Sequence, residues 1–361
     1  YFDYVERCYQ NQQLTNNGPL VRDLKKRLEE YLGVQYLLPV ANGTLALQIA
    51  YKTLGITSKA VTTPFTFVAT SSSLEWDGIQ PIYADIDANS LNLSPEKAEC
   101  AIDPEVSALV PVHVYGNPCD VEAFDELAHD NDLKVVYDAA HAFGVRLNGK
   151  SILRWGDAAT LSFHATKVFH TVEGGAIVFK EREDYERACR LINFGYEDGE
   201  VVDIGINAKM SEFHAAMGLC MLDEMDSILR KRKEIHERYW GELSSSMEMP
   251  QWREGATRNY AYFPVLFPSE DALLRCQQSM NAEGVFPRRY FHPSLDAANK
   301  GSDAMCLTSR DVANRVLCLP IYADLPYEAQ RDIISMITSQ MAHMDNKSVD
   351  SSHLGIGEEK T

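Results

Sequence analysis

An aspartate and a lysine stand out because each follows an apolar run that predicts a buried strand. Asp138 ends the run Val135-Val136-Tyr137, and Lys167 comes shortly after residues 160–163. The carboxyl edge of a parallel sheet is where α/β proteins bind ligands, and a carboxylate there can hold a cationic ring nitrogen. A lysine reached directly from a strand is partly desolvated, which lowers its pKa and suits it to form a Schiff base. A capping aspartate and a surface lysine are the simpler alternatives.

Small and hydroxyl-bearing residues near these strands could form a phosphate site. Gly43 and Thr44 open a predicted helix after residues 40–42, so backbone N–H groups and a hydroxyl would face one anion. Ordinary helix capping is the simpler alternative for the Gly-Thr pair.

Three further side chains break the pattern of a packed core, and two of them could contact a flat ligand. Phe67 lies where a strand gives way to a helix and could cover a ring, with a core aromatic as the alternative. His141 follows Asp138 closely and could brace or stack on the same ligand, although a single histidine is more often structural. Asn207 lies at the entrance of a long helix, where N-capping fits equally well.

A cluster of cations and aromatic rings occupies residues 286–293. Such a cluster could bind a diphosphate and a ring, and a solvated basic loop is the alternative. The candidate residues are Arg288, Arg289, Tyr290 and His292.

The elements around these residues predict an α/β fold. Short apolar runs at 60–63, 81–85, 108–114, 134–137, 160–163 and 176–179 are typical of buried strands. Helical patterns at 20–31, 44–55, 67–76, 95–101 and 121–129 precede or separate them, the last with Asp120 placed as its cap. Alternating strands and helices predict a mostly parallel sheet covered on both faces.

The pattern changes after residue 206 and predicts two domains. A long helical stretch over 208–243 leads to a strand at 260–267 and helices near 270–282 and 327–341. We therefore predict a large ligand-binding domain over 1–240 and a smaller α+β domain over 241–345. Residues 346–361 are polar and are predicted to be disordered.

Composition excludes several classes of protein. Thirty-four Lys and Arg against 52 Asp and Glu give a net charge of −18, which disfavours nucleic acids and anionic membranes. No apolar stretch is long enough to span a bilayer. Eight scattered cysteines in 361 residues predict reduced thiols and a cytoplasmic location. Metal, nicotinamide and ATP sites lack their sequence motifs.

Taken together, the motifs resemble the DegT/DnrJ/EryC1/StrS family of sugar aminotransferases. The resemblance runs from about Leu14 to Met341 and rests on the number and order of the matching segments. They are LTNNGP, ANGTLAL, PFTFVAT, PVHVYGNPCDVEAF, VVYDAAHAFG, GDAATLSFHATK, EGGAIV, INAKMSEFHAAMG, RRYFHPSL and LPIYADLP. The resemblance implies the aspartate-aminotransferase fold (fold type I) and the cofactor pyridoxal 5′-phosphate (PLP).

The resemblance also implies a role for each matching residue. Lys167 would form the Schiff base with PLP and move protons, and Asp138 would keep the pyridine nitrogen protonated. His141 would lie beside the ring and Phe67 would pack on it. The remaining matches are Gly43, Thr44 and Ser162 in the phosphate cup and Asn207 from the neighbouring subunit of a homodimer.

The reaction that the resemblance implies is a two-stage transamination. Glutamate would give its amino group to the cofactor and leave as 2-oxoglutarate, and a nucleotide-linked ketosugar would then receive it. The segment around Lys167 is most similar to members that aminate C4 of dTDP-4-keto-6-deoxy-D-glucose, with amination at C3 as the alternative. Arg288, Arg289, Tyr290 and His292 would bind the substrate.

Three other readings remain beside this one. A related sugar 3-dehydratase would carry histidine at the position of Lys167. A non-catalytic regulatory protein that binds PLP should have lost Lys167, Asp138 or Asn207, and all three are present. An oxidoreductase would need a glycine-rich dinucleotide loop, which the sequence does not contain.

Overall fold

A computed structural model describes residues 1–298 and 306–352 of the chain. The strands in chain order are β1 Leu37–Val40, β2 Lys59–Thr62, β3 Gln80–Tyr83, β4 Val106–Val110, β5 Lys134–Asp138, β6 Arg146–Leu147, β7 Lys150–Ser151, β8 Ala158–Ser162, β9 Gly175–Phe179, β10 Tyr196–Glu197, β11 Glu200–Val201, β12 Pro264–Leu266 and β13 Val316–Cys318. The helices are α1 Phe2–Asn11, α2 Pro19–Leu32, α3 Gly43–Leu54, α4 Ala69–Trp76, α5 Pro95–Cys100, α6 Val121–Asn131, α7 Arg182–Leu191, α8 Glu212–Leu243, α9 Glu270–Ala282, α10 Leu295–Ala298, α11 Leu307–Arg315 and α12 Tyr327–Ser352.

A seven-stranded sheet with the order β1-β9-β8-β5-β4-β2-β3 forms the centre of the large domain. The pairs β8·β5, β5·β4, β4·β2 and β2·β3 are parallel, whereas β9 is antiparallel to both β1 and β8. The predicted α/β class with a mostly parallel sheet is therefore confirmed. The structure adds β1, which the sequence did not predict because a four-residue run containing Pro39 carries little strand signal.

Two apolar layers cover the sheet, as expected for strands buried on both faces. One layer contains α2 and the first half of α8, with Leu24, Leu28 and Leu219 fully buried. The other contains α3 and α7, with Leu47 and Leu191 buried against β9 and its neighbours. The carboxyl ends of β5 and β8 remain available to carry a site.

The small domain has a hydrophobic core of its own. Ile235, Tyr239 and Leu243 from the second half of α8 pack there with residues of α9, α12 and β13. The long helix thus contributes to both cores, and the change from one core to the other falls between Met225 and Ile235. The exact boundary at residue 240 stays a prediction.

Two sequence predictions in the small domain need correction. The predicted strand 260–267 is shorter, since only Pro264–Leu266 pairs with β13. Tyr260 has φ 53°, a left-handed backbone that interrupts an extended strand at its start. Helix α12 reaches Ser352, so residues 346–352 are helical although we predicted disorder from 346 onwards. Residues 353–361 lie outside the described residues.

Candidate active site

A cavity of about 340 Å³ lies at the carboxyl ends of β5 and β8. It is lined by residues of the large domain and by three aromatic residues that follow α8 or α9 in the chain. Of the predicted site residues, the lining includes Gly43, Thr44, Phe67, Asp138, His141, Ser162, Lys167 and Tyr290. Residues more than a hundred positions apart therefore meet in one space.

Asp138 is the last residue of β5 and is 6% exposed. Its Oδ2 accepts a hydrogen bond of 2.8 Å from Thr70, and its Oδ1 accepts one of 3.1 Å from the backbone N–H of Ala140. Burial raises the pKa of Asp138, while these hydrogen bonds and the charge of Lys167 oppose the rise. The carboxylate is held from two sides and faces the cavity.

Lys167 lies five residues beyond the end of β8, in the loop that leads to β9. Its Nζ donates a hydrogen bond of 3.3 Å to Oη of Tyr262. Burial lowers the pKa of Lys167 to about 8, and Asp138 acts in the opposite direction. The amine is thus partly neutral near pH 7.5, as a nucleophile or a proton acceptor requires.

His141 is a buried neutral base between the two domains. Its Nδ1 accepts a hydrogen bond of 3.2 Å from the backbone N–H of Tyr115, which assigns the ring proton to Nε2. Burial, followed by the charge of Lys167, lowers the pKa of His141 well below its usual value. The ring stacks on Phe291 with centroids 5.6 Å apart and planes 4° apart. The imidazole is therefore fixed in orientation and uncharged at neutral pH.

The start of α3 and the end of β8 form a small cradle. A Cβ placed on Gly43 would lie 2.8 Å from Cβ of Ser162, closer than such atoms approach, so only glycine fits here. Asn42 caps the helix by accepting a hydrogen bond from Leu45 N. The N–H groups of Gly43 and Thr44, in the first turn of the helix, have no acceptor within it. Together with the hydroxyl of Ser162 they fit a phosphate.

The remaining predicted residues lie at the mouth of the cavity or outside it. Phe67 is 57% exposed at the mouth of the cavity. Asn207 is exposed and is not among the lining residues. Arg288 and His292 are also exposed and do not line the cavity, whereas Arg289 donates hydrogen bonds to Glu270 and to backbone carbonyls.

The structure adds residues that sequence reasoning missed. Thr70 binds Asp138, Tyr262 binds Lys167, and Phe291 stacks on His141. Thr70 and Phe291 lie within the motifs PFTFVAT and RRYFHPSL. The sequence does not show which side chain a given hydroxyl or phenyl group will contact, so these two partners could not be predicted. Tyr262 lies in a segment that we predicted to be a strand, and only the tertiary fold brings it to the lysine.

Comparison with known proteins identifies the family. The model of the DegT/DnrJ/EryC1/StrS aminotransferase family matches residues 1–338. The chain belongs to the DegT/DnrJ/EryC1/StrS aminotransferase family. It is 43% identical over 348 residues to a dTDP-4-amino-4,6-dideoxy-D-glucose transaminase of Shigella dysenteriae, covering 93% of this chain and 94% of that protein. A transaminase of the same name from Escherichia coli is 36% identical, covering 94% of this chain and 95% of the relative.

Solved structures have the same fold. DesI, solved in the presence of its TDP-sugar product, has a TM-score of 0.90 and 30% identity, covering 98% of this chain and 92% of that one. DesV of S. venezuelae, solved in complex with a ketimine intermediate, has a TM-score of 0.85 and 25% identity, covering 94% of this chain and 94% of that one. The predicted family, enzyme class and PLP cofactor are thus confirmed.

The residues present fit this cofactor. The cradle of Gly43, Thr44 and Ser162 suits its phosphate, Asp138 suits its ring nitrogen, and Lys167 suits its aldehyde. When bound, PLP supplies a ring that accepts the electrons released as a bond at the amino carbon breaks. With the cofactor bound, Asp138 would hold a proton on the ring nitrogen, and Lys167 would take up and return protons at Nζ.

No helix among the described residues is long and apolar enough to cross a membrane. All eight cysteines are free of disulfide bonds in the structure. The described residues also contain no cluster of three or more His, Cys, Asp or Glu side chains that could hold a metal ion.

Proposed function

We propose that this chain transfers the amino group of glutamate to C4 of dTDP-4-keto-6-deoxy-D-glucose, giving dTDP-4-amino-4,6-dideoxyglucose. The observation that carries the proposal is the likeness, over nearly the whole chain, to two transaminases named for that product. The cavity supports it, because Lys167, Asp138 and the Gly43 cradle face the same space. The chain-wide extent of the likeness means that both domains resemble those relatives.

Each residue of the cavity can contribute a different step or charge to the reaction. Asp138 stays ionised when a cationic ring nitrogen pairs with it, because the pairing offsets the burial that raises its pKa. Lys167, with its lowered pKa, exchanges protons near neutral pH. His141 remains neutral and fixed, so it presents no second positive charge beside Lys167. This arrangement favours proton transfer at one point of the cavity.

A second subunit completes the site in this proposal. Asn207 is exposed and lies beside a surface with several exposed apolar side chains. They are Phe194, Tyr196, Val201, Val202, Ile204 and Ile206. Burial of such a surface against a second copy would favour association and would bring Asn207 to the neighbouring cavity. The homodimer, its shared sites and glutamate as donor are parts of the proposal.

One assay tests the proposal directly. The purified protein, loaded with PLP, is incubated with glutamate and either the 4-keto or the 3-keto dTDP-6-deoxyhexose, and NMR locates the new amine. We expect an amine at C4 and formation of 2-oxoglutarate. Turnover of the 3-keto sugar in preference to the 4-keto sugar, with the new amine at C3, would overturn the substrate assignment. Lys167→Ala serves as the inactive control.

A further inference from the structure

Tyr262 joins the small domain to the lysine. It lies between α8 and β12, and its Oη accepts the hydrogen bond of 3.3 Å from Lys167 Nζ. Its ring contacts His141, with centroids 4.6 Å apart, and Tyr290, with centroids 5.8 Å apart. Burial raises the pKa of Tyr262, so the phenol stays protonated and neutral. The lysine thus has a fixed, uncharged hydrogen-bond partner.

Arg232 on α8 holds the backbone immediately before Tyr262. Its Nε donates a hydrogen bond of 3.0 Å to the carbonyl of Tyr260, and its Nη2 donates one of 2.8 Å to that of Ala261. Arg232 is 9% exposed, and no carboxylate of the described residues forms a salt bridge with it. A buried cation without a counter-charge needs such acceptors, and its planar fork fixes their direction.

We propose that Tyr262 holds the free amino group of Lys167 in place and that Arg232 is a positioning residue that sets the phenol at that point. The inference rests on the proposed role of Lys167. A lysine that exchanges protons with a cofactor must keep its amine close to one point whenever it is not bound covalently. The phenol provides that point from the small domain, and Arg232 fixes the two peptide groups that precede it.

The charged and neutral forms of the lysine should feel the phenol differently. An ammonium has only donors, and a bond from it to the phenol oxygen is charge-assisted and stronger than a bond from the neutral amine. Loss of the hydroxyl therefore lowers the pKa of Lys167 below its starting value of about 8. The substitution leaves in place the other titratable side chains that line the cavity. They are Asp138, His141, His164, Glu173 and Tyr290.

The test titrates the lysine in the protein freed of cofactor. Competitive labelling with a small acylating reagent across a range of pH, read by mass spectrometry on the peptide that contains Lys167, gives its pKa. For Tyr262→Phe we expect a pKa lower by about half a unit or more. Tyr290→Phe is the matched control, because it removes the hydroxyl of a tyrosine that lines the same cavity but does not bond to Lys167, and it should leave the pKa of Lys167 unchanged.

A double-mutant cycle tests Arg232. Arg232→Met should shift the pKa of Lys167 in the same direction as Tyr262→Phe does. The double variant should show the same pKa as Tyr262→Phe alone, because both changes act on one contact. Arg232→Lys retains a hydrogen-bond donor, so it should lower the pKa of Lys167 by less than Arg232→Met does. Additive effects would overturn the positioning role of Arg232. If Arg232→Met does not fold, Arg232→Lys alone and combined with Tyr262→Phe gives the same comparison.

The outcomes separate this inference from the proposed function. If Tyr262→Phe titrates like the parent protein while PLP still gives a visible absorption band that depends on Lys167, only the inference fails. If PLP gives no such band with the parent protein, the proposed function fails, whatever the titration shows. A lowered pKa in Tyr262→Phe with the expected cycle supports the inference.

Discussion

Thr70 at the start of α4 donates a hydrogen bond of 2.8 Å to Oδ2 of Asp138 at the end of β5. The Thr70 hydroxyl is also within 3.0 Å of the hydroxyl of Thr66, so two hydroxyl groups in series face the carboxylate. A hydrogen bond to a charged group contributes about 1.5–3 kcal/mol. Thr70 therefore helps the buried carboxylate to remain ionised.

Replacement of Thr70 should move the acid limb of the pH profile. Thr70→Val removes the donor but keeps the shape of the side chain, so the pKa of Asp138, already raised by burial, should rise further. Activity should then be lost at a higher pH than in the parent enzyme as the medium is acidified. The pH profile of kcat/KM measures this, and Thr70→Ser should behave like the parent. Identical profiles for Val and Ser would contradict the prediction.

Removal of the carboxylate has a larger expected effect. Asp138→Asn keeps the shape of the side chain but cannot pair with a cationic ring nitrogen, so we expect a loss in kcat of about 10²–10³-fold. Cofactor binding, measured by absorbance after dialysis, should weaken less than kcat falls. Activity close to that of the parent would show that this carboxylate does not control the ring.

The cradle at the start of α3 gives a steric prediction. Gly43→Ala places a Cβ 2.8 Å from Cβ of Ser162 and 3.2 Å from its Cα, so α3 and β8 must separate and cofactor phosphate should bind more weakly. The dissociation constant of PLP measures the effect. Ser162→Gly in the same chain should relieve the closest contact. Gly241→Ala is the matched control, because nothing lies within 4 Å of its Cβ.

The lowered pKa of Lys167 predicts how cofactor uptake depends on pH. The neutral amine is the nucleophile, so the rate of PLP incorporation should rise with pH and reach half its maximum near the pKa of about 8. Visible absorbance of the reconstituted protein follows the reaction. An ordinary lysine would show the midpoint about two units higher. Lys167→Ala should give no visible band at any pH.

Mixed subunits test the proposed contribution of Asn207. Lys167→Ala and Asn207→Ala proteins should each have low activity alone. If Asn207 serves the neighbouring cavity, random exchange of equal amounts restores one native site in each hybrid dimer, or about a quarter of the parent activity. Absence of recovery, with exchange confirmed by mass spectrometry, would place Asn207 in the cavity of its own subunit or in neither.

The sequence was most informative where a reactive side chain comes directly after a buried strand. The apolar runs before Asp138 and Lys167 predicted their strands, and the parallel arrangement of β5 and β8 explains why both residues reach one cavity. Tyr262 was missed because its place depends on Arg232, thirty positions earlier in the sequence and on another element. The direction of β9 was missed too, since an apolar run reveals burial but not strand polarity.

Helix α8 carries Arg232 about 30 Å from its first turn, as 1.5 Å per residue requires. That first turn lies shortly after Asn207, and Glu212 within it accepts hydrogen bonds from Leu20 N and Val21 N at the start of α2. Because α8 is one continuous helix, a displacement of its first turn can be transmitted to Arg232. We therefore expect subunit affinity and lysine basicity to be thermodynamically linked, each changing when the other is perturbed.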